Sequence, residues 1–219
     1  MTTRVLLIRH GATVLSAEDR FAGSTDVLLS EEGRSQARAL GERLAEAELA
    51  AVYASPMKRT VETATLVAAP HNLNLITDAG LREIDHGRWE QLTRREVEAR
   101  FPEEYSNWEA DPFTFAPEAG ESGLSVMARA LPVLRRIVVA HAGKTVAVVS
   151  HKATIRLVLC SLLGIDARGY RDRLDQSPAC LNALDFKDPV RARLVVYNDT
   201  SHYAARPAKS QSRLSKWWE

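Results

Sequence analysis

The stretch Val5-Leu6-Leu7-Ile8-Arg9-His10-Gly11-Ala12-Thr13 opens with four consecutive apolar residues and runs directly into charge and glycine. Four apolar residues without alternation predict a strand buried on both faces, the kind found in a sheet covered by helices. The strand has to end at Arg9-His10-Gly11. In open α/β sheets ligands bind at the carboxyl ends of the strands, so this is a place where chemistry is commonly done. Taken alone, the Arg9-His10 pair reads equally as a basic surface loop. The remaining strand ends decide between the two.

Downstream, Ser30-Glu31-Glu32 predicts a helix start, with serine as N-cap and two acids in the first turn. Ala37, Leu40, Leu44 and Ala47 continue it at helical spacing. Ala51-Val52-Tyr53-Ala54 predicts a second strand. Ser55-Pro56 then predicts a helix from Pro56 to about Ala69, with Ser55 as N-cap and Pro56 at the first helical position. Leu73 to Thr77 predicts a third strand. Between Asp85 and Ser122, aromatic residues and prolines are scattered among charges, a texture expected of an insertion with short helices over the sheet's carboxyl edge. A helix follows from Ser122 to Ala140, with a kink expected at Pro132. Thr145-Val146-Ala147-Val148-Val149-Ser150 is the strongest strand signal. It ends at His151-Lys152, ahead of a helix to Leu163 stopped by Gly164. Leu181 to Phe186 and Ala192 to Tyr197 predict two further strands. Strands alternating with helices indicate an α/β three-layer sandwich with a largely parallel central sheet. One domain is expected over residues 1–204, with a cap insertion at about 85–122 and a polar tail at 205–219.

The 219 residues are 45% hydrophobic and 26% charged, ample for a sizeable core. The 29 basic and 28 acidic residues nearly cancel, which gives no support to a nucleic-acid or membrane-surface partner. Cys160 and Cys180 form neither a disulfide framework nor a zinc spacing, and Cys160 in its apolar run reads as a small buried residue. No apolar leader precedes the first strand and no run approaches ~18 apolar residues, so a cytoplasmic protein is expected. Nothing here sets the oligomeric state, and a dimer stays open.

Several turns out of these elements carry residues of complementary chemistry: Arg9-His10, Ser55-Pro56-Met57-Lys58-Arg59-Thr60, Leu81-Arg82-Glu83, and Ser150-His151. With Gly23-Ser24-Thr25-Asp26 and Leu29-Ser30-Glu31-Glu32-Gly33 between them, this ordered set resembles the histidine phosphatase superfamily, in its phosphoglycerate-mutase-like branch. The likeness runs from about Arg4 to at least Gly164. It implies the phosphoglycerate mutase-like fold and a metal-independent reaction without cofactor on a small phosphorylated substrate.

The resemblance implies His10 as nucleophile, with Arg9, Arg59 and His151 as donors to the phosphoryl group and Glu83 as general acid. Those roles suit the residues. A neutral imidazole attacks without first losing a proton. Phosphoryl transfer depends mainly on positioning and electrostatics, and the arginine fork matches two phosphate oxygens. Arg59 also falls in the first turn of its helix, where backbone N–H groups favour an anion. Asp85 is the alternative proton donor; His86, three residues after Glu83, matches nothing in the pattern and reads as structural or solvent-exposed. Further substrate contacts are expected from Gly11, whose lack of a side chain allows close approach, and from Thr13, Ser16, Ala22, Gly23 and Lys152.

Departures from the pattern bear on the substrate. Ser16 stands where an asparagine is usual, Ala22 where threonine or glutamine is common, and Lys152 where glycine is frequent. The added positive charge of Lys152 points to a second negative group on the substrate. The arginine-rich clamp of the mutases has no clear counterpart, Arg94-Arg95 being the nearest basic pair, and this favours a phosphatase. A cofactor-dependent phosphoglycerate mutase, a phosphoprotein phosphatase and a non-catalytic phospho-ligand binding module are the alternatives. Trp89, Trp108, Phe113 and Phe115 read as packing of the cap, and Ser122 after Glu121 as an N-cap.

Overall fold

The computed structural model describes residues 1–15 and 20–203. Ser16 and the expected tail at 205–219 lie outside the described residues. Six strands form one sheet: β1 (Thr3–Arg9), β2 (Leu49–Ala54), β3 (Leu75–Thr77), β4 (Thr145–Ser150), β5 (Leu181–Phe186) and β6 (Ala192–Asp199). Their order is β3-β2-β4-β1-β5-β6. The first four are mutually parallel, while β5 runs antiparallel to β1 and β6 antiparallel to β5. The hairpin at this edge turns on Asp188, whose carboxylate accepts from the backbone N–H groups of Val190 and Arg191.

The unbroken apolar run of β1 is explained by helices on both faces of the sheet. Val5 and Leu7 point into one core, with Val146 and Val148 of β4, beneath α5 (Gly123–Ala140) and α6 (Lys152–Leu163). Leu6 and Ile8 point into the other, with Ala147 and Val149, beneath α1 (Glu31–Leu44) and α2 (Lys58–Ala68). This period-two division gives the three-layer sandwich that the sequence predicts. Cys160 is a free, fully buried thiol in the first of these cores.

Two helix boundaries differ from expectation. Helix α1 ends at Leu44, short of Ala47. Helix α2 begins at Lys58 with Met57 in the N-cap position, so Ser55 and Pro56 stay outside it. The Ser55 hydroxyl lies against His151 instead of capping the helix, and the Lys58 N–H is held by the Asp26 carboxylate at 2.8 Å. Helix α5 runs on through Pro132, and its Ser122 cap accepts from Ser125 N as expected. The segment between β3 and α5 carries α3 (Arg94–Arg100) and α4 (Pro102–Ala110). Phe21, Trp89, Val97, Tyr105 and Trp108 give it a small aromatic core of its own, against which Phe115 packs, whereas Phe113 packs on the core beneath α5. After α6 a final turn, α7 (Tyr170–Arg173), leads into β5. Among the described residues no helix is long and apolar enough to cross a membrane.

Candidate active site

A cavity of about 250 Å³ opens at the carboxyl ends of β1 and β4, beneath the segment bearing α3 and α4. Arg9, His10, Arg59, Glu83 and His86 line it, with Thr13, Ala22, Lys152 and Arg156. The topology explains the meeting. β1 and β4 are neighbours in register, Arg9 opposite Ser150, so His10 and His151 leave adjacent strand ends. Their rings stand edge to face, with centroids 5.2 Å apart.

His10 is buried, and its Nδ1 is 2.7 Å from the Gly11 carbonyl. A carbonyl only accepts, so Nδ1 carries the hydrogen and Nε2 keeps its lone pair. Burial, and then the charges of Arg9 and Arg59, hold the His10 imidazole well below the usual histidine range. The ring is therefore neutral at pH 7. His151 is fully buried and likewise held low, by burial and then by Arg59, His10 and Arg9.

Arg59 is 2% exposed and spans the site. Its Nε–H donates to His151 Nδ1 at 3.2 Å, and its terminal nitrogens donate to the carbonyls of Thr25 and Gly23, each at 2.8 Å. Arg9 donates through one terminal nitrogen to the Gln176 carbonyl at 2.6 Å, while its buried Nε has no partner. A buried guanidinium N–H without an acceptor is costly, and beside the His10 imidazole it is a ready donor for an incoming oxygen.

Glu83 follows a single 3₁₀ turn at Ala79–Leu81 and reaches the first turn of α6. Its Oε1 accepts from Ile84 N, Thr154 N and Thr154 Oγ1, and its Oε2 accepts from Ala153 N at 3.1 Å. Helix N-terminal N–H groups suit an anion, and here a carboxylate of the chain takes them. Arg129 fixes the loop from behind by donating to the carbonyls of Gly80, Arg82 and Glu83 while paired with Glu121.

Glu90 carries a role that the sequence reading missed. Its carboxylate accepts from Gly23 N, Ser24 N, Thr25 N, Thr25 Oγ1 and His86 N at 2.6–3.1 Å. Burial pushes Glu90 up, but these bonds outweigh it and hold the carboxyl below its ordinary range. The carbonyls that grip Arg59 thus belong to a loop folded around Glu90. Sequence pattern gives no signal for a lone glutamate with this job. Arg156 and Arg171, both buried and both lining the cavity, were also missed, because cations in helical stretches ordinarily read as solvated faces.

Gly11 and Gly23 do not line the cavity wall. The Gly11 N–H is taken by Thr63 Oγ1, and a Cβ there would stand 2.4 Å from the Gly33 carbonyl, so its smallness serves the approach of α1. Gly23 packs on the Ile84 carbonyl, which a Cβ would meet at 1.8 Å, and its N–H goes to Glu90. Asp85 is likewise absent from the wall, its Oδ1 accepting from Gly87 N in a local turn. Among the described residues no group of three or more His, Cys, Asp or Glu is placed to hold a metal ion.

The histidine phosphatase superfamily (branch 1) matches residues 5–200. Phosphoserine phosphatase 1 of Hydrogenobacter thermophilus is 36% identical over 163 residues, covering 74% of this chain and 77% of its own length. Other curated relatives, from Mycobacterium, align over 91% of this chain but 55% of their own length. Among solved structures, Bacillus stearothermophilus YhfR superposes with a TM-score of 0.85 at 32% identity, covering 91% of this chain and 98% of that one. Mycobacterial glucosyl-3-phosphoglycerate phosphatase Rv2419c gives 0.81 at 28% identity, covering 90% and 99%. The match extends through the whole sheet, beyond Gly164 where the sequence likeness was first traced, and with it this chain belongs to the histidine phosphatase superfamily.

Proposed function

We propose that this member of the superfamily is a metal-independent phosphomonoesterase of small metabolites that carries the phosphoryl group on His10. The observation supporting it is the His10 tautomer: the Gly11 carbonyl fixes the proton on Nδ1, so the Nε2 lone pair is the reactive one. Relatives named as phosphoserine phosphatase and glucosyl-3-phosphoglycerate phosphatase support the phosphatase class.

In the first step Nε2 attacks phosphorus and the phosphorus–oxygen ester bond breaks. Protonated Glu83 gives its proton to the leaving oxygen, which departs as an alcohol. Oε2, which among the described residues accepts only from Ala153 N, is the oxygen with capacity to carry that proton. In the second step the Glu83 carboxylate takes a proton from water, whose oxygen attacks phosphorus. The phosphorus–nitrogen bond breaks, and inorganic phosphate leaves with His10 and Glu83 restored. Arg9 and Arg59 balance the charge spread over the three equatorial oxygens, with the neutral His151 orienting Arg59 and with Thr13 and Ala22 shaping the wall around them. Residues 85–122 form the cap over the substrate within a single domain of residues 1–204, and the substrate's far end is met by Lys152.

Incubation with a ³²P-labelled phosphoester, quenched in denaturant within a turnover, tests this. Acid-labile, base-stable label on the wild-type protein and none on His10→Ala is expected. A His10→Ala protein that labels and turns over like wild type overturns the mechanism. Isomerisation of phosphoglycerates without phosphate release would assign the mutase reaction instead.

A further inference from the structure

Lys152 and Arg156 both line the cavity, one helical turn apart on α6. Residues at this spacing share one helix face, where two like charges repel. Burial sharpens the cost. The Arg156 side chain is 4% exposed, and its nearest anion, Asp175, is 3.5 Å away with 41% of its side chain open to water. Its Nε is buried without an acceptor. Among the described residues Lys152 has no hydrogen-bonding or ion-pair partner; Arg156, Arg9 and Arg94 act on it as repelling charges, and Asp175 as an attracting one.

The geometry points to a second anion subsite, built by Lys152 and Arg156, that holds a carboxylate on the far side of the substrate from its phosphate. The inference rests on the phosphatase reading and names the substrate class for the same cavity: small phosphomonoesters of hydroxy or amino acids. An arginine fork and an ammonium on one helix face match the two oxygens of a carboxylate. Burial, then Arg156, lowers the Lys152 ammonium to about 6, and a carboxylate bound beside it raises it again. The cavity, about 250 Å³, suits a phosphoryl group with a short carbon chain.

Matched substrates read this directly. 2-Phosphoglycolate, 3-phosphoglycerate and 4-phosphoerythronate place the carboxylate at increasing distance from the ester. 2-Hydroxyethyl phosphate, glycerol 3-phosphate and erythritol 4-phosphate are their counterparts with the carboxylate reduced to an alcohol. At least one pair is expected to show kcat/KM tenfold or more in favour of the carboxylate, and Arg156→Gln and Lys152→Met should bring that ratio down toward one. Folding of each variant is verified by its far-ultraviolet circular dichroism. If Arg156→Gln does not fold, the ratio in Lys152→Met and Arg156→Lys decides. Ratios near one in every pair, with a phosphohistidine still formed, overturn the subsite and leave the phosphatase standing. A ratio that survives in the folded variants also overturns it. No hydrolysis of any phosphoester, p-nitrophenyl phosphate included, overturns both.

Discussion

Arg59 donates its Nε–H to His151 Nδ1 at 3.2 Å, and this one bond fixes the state of the second histidine. With Nδ1 accepting, the ring proton sits on Nε2 and is directed at Ser55 Oγ, 2.8 Å away. His151 is therefore neutral, with both ring nitrogens engaged. Lysine at position 59 cannot hold the Gly23 and Thr25 carbonyls, His151 and a phosphate at once. Loss of one such preorganised donor costs about 10²–10³ in rate. Arg59→Lys is expected to lower kcat/KM at least a hundredfold in steady-state phosphate release. A loss under fivefold would show that Arg59 has no transition-state role.

The two buried histidines also predict how the protein responds to acid. Both are held well below the ordinary histidine value by burial, and then by nearby arginines. In the unfolded chain they bind protons below about pH 6.5. In the folded chain they do not until the pH is far lower. The unfolded state thus holds more protons as pH falls through 6.5, and stability falls with it, by up to about 1.4 kcal/mol per pH unit for each histidine. Urea unfolding between pH 7 and pH 5 is expected to show a shallower loss for His10→Asn than for wild type. The same depression keeps His10 unprotonated, as the proposed attack requires, so the acid limb of kcat/KM should lie below pH 6.5. A histidine-like limb at or above 6.5 would contradict the neutral His10.

How far the sequence carried this description depends on the range of the signals. β4 could be bounded to the residue because an unbroken apolar run between a turn and a polar end has one interpretation. That His10, Arg59, Glu83 and His151 come together was legible because each sits where one element turns into the next. Arg156 was not, since nothing in its helical stretch marks the side chain as turned into the cavity, where it meets Asp175 from beyond α7. Gly11 shows the opposite error. Its lack of a side chain was legible and its use was not, because Gly33 of α1 comes up against it rather than a ligand. Ser55 illustrates how a good local signal loses to a tertiary one: a serine before proline is a natural N-cap, yet its hydroxyl is needed by His151.

Glu90 offers the clearest test of indirect positioning. Five donors converge on its carboxylate, and the loop they hold supplies both carbonyls that grip Arg59. Glu90→Gln keeps the size but turns an NH₂ group toward N–H donors, leaving half-buried groups unpaired at about 1–3 kcal/mol each. A drop in kcat of tenfold or more toward p-nitrophenyl phosphate is expected, together with a lower Tm. If kcat/KM keeps its pH profile and magnitude while only Tm falls, Glu90 is structural and does not position Arg59.

Glu83 and Asp85 compete for the role of proton donor, and their surroundings separate them. Glu83 lines the cavity with an oxygen that, among the described residues, accepts from Ala153 N alone, whereas Asp85 is committed to the turn at Gly87. A general acid matters in proportion to the basicity of the leaving oxygen. Alkyl phosphates need protonation, and p-nitrophenolate leaves with little help. General acid catalysis contributes about 10²–10⁴ in rate. Glu83→Gln should therefore cost about that factor on glycerol 3-phosphate and at most tenfold on the first step with p-nitrophenyl phosphate, read as burst-phase p-nitrophenolate. The second step still needs Glu83 to activate water, so phosphohistidine should accumulate in this variant. Asp85→Asn should leave the ratio between the two substrates as in wild type. Reversal of these two results would move the acid to Asp85 and require its turn at Gly87 to open during the reaction.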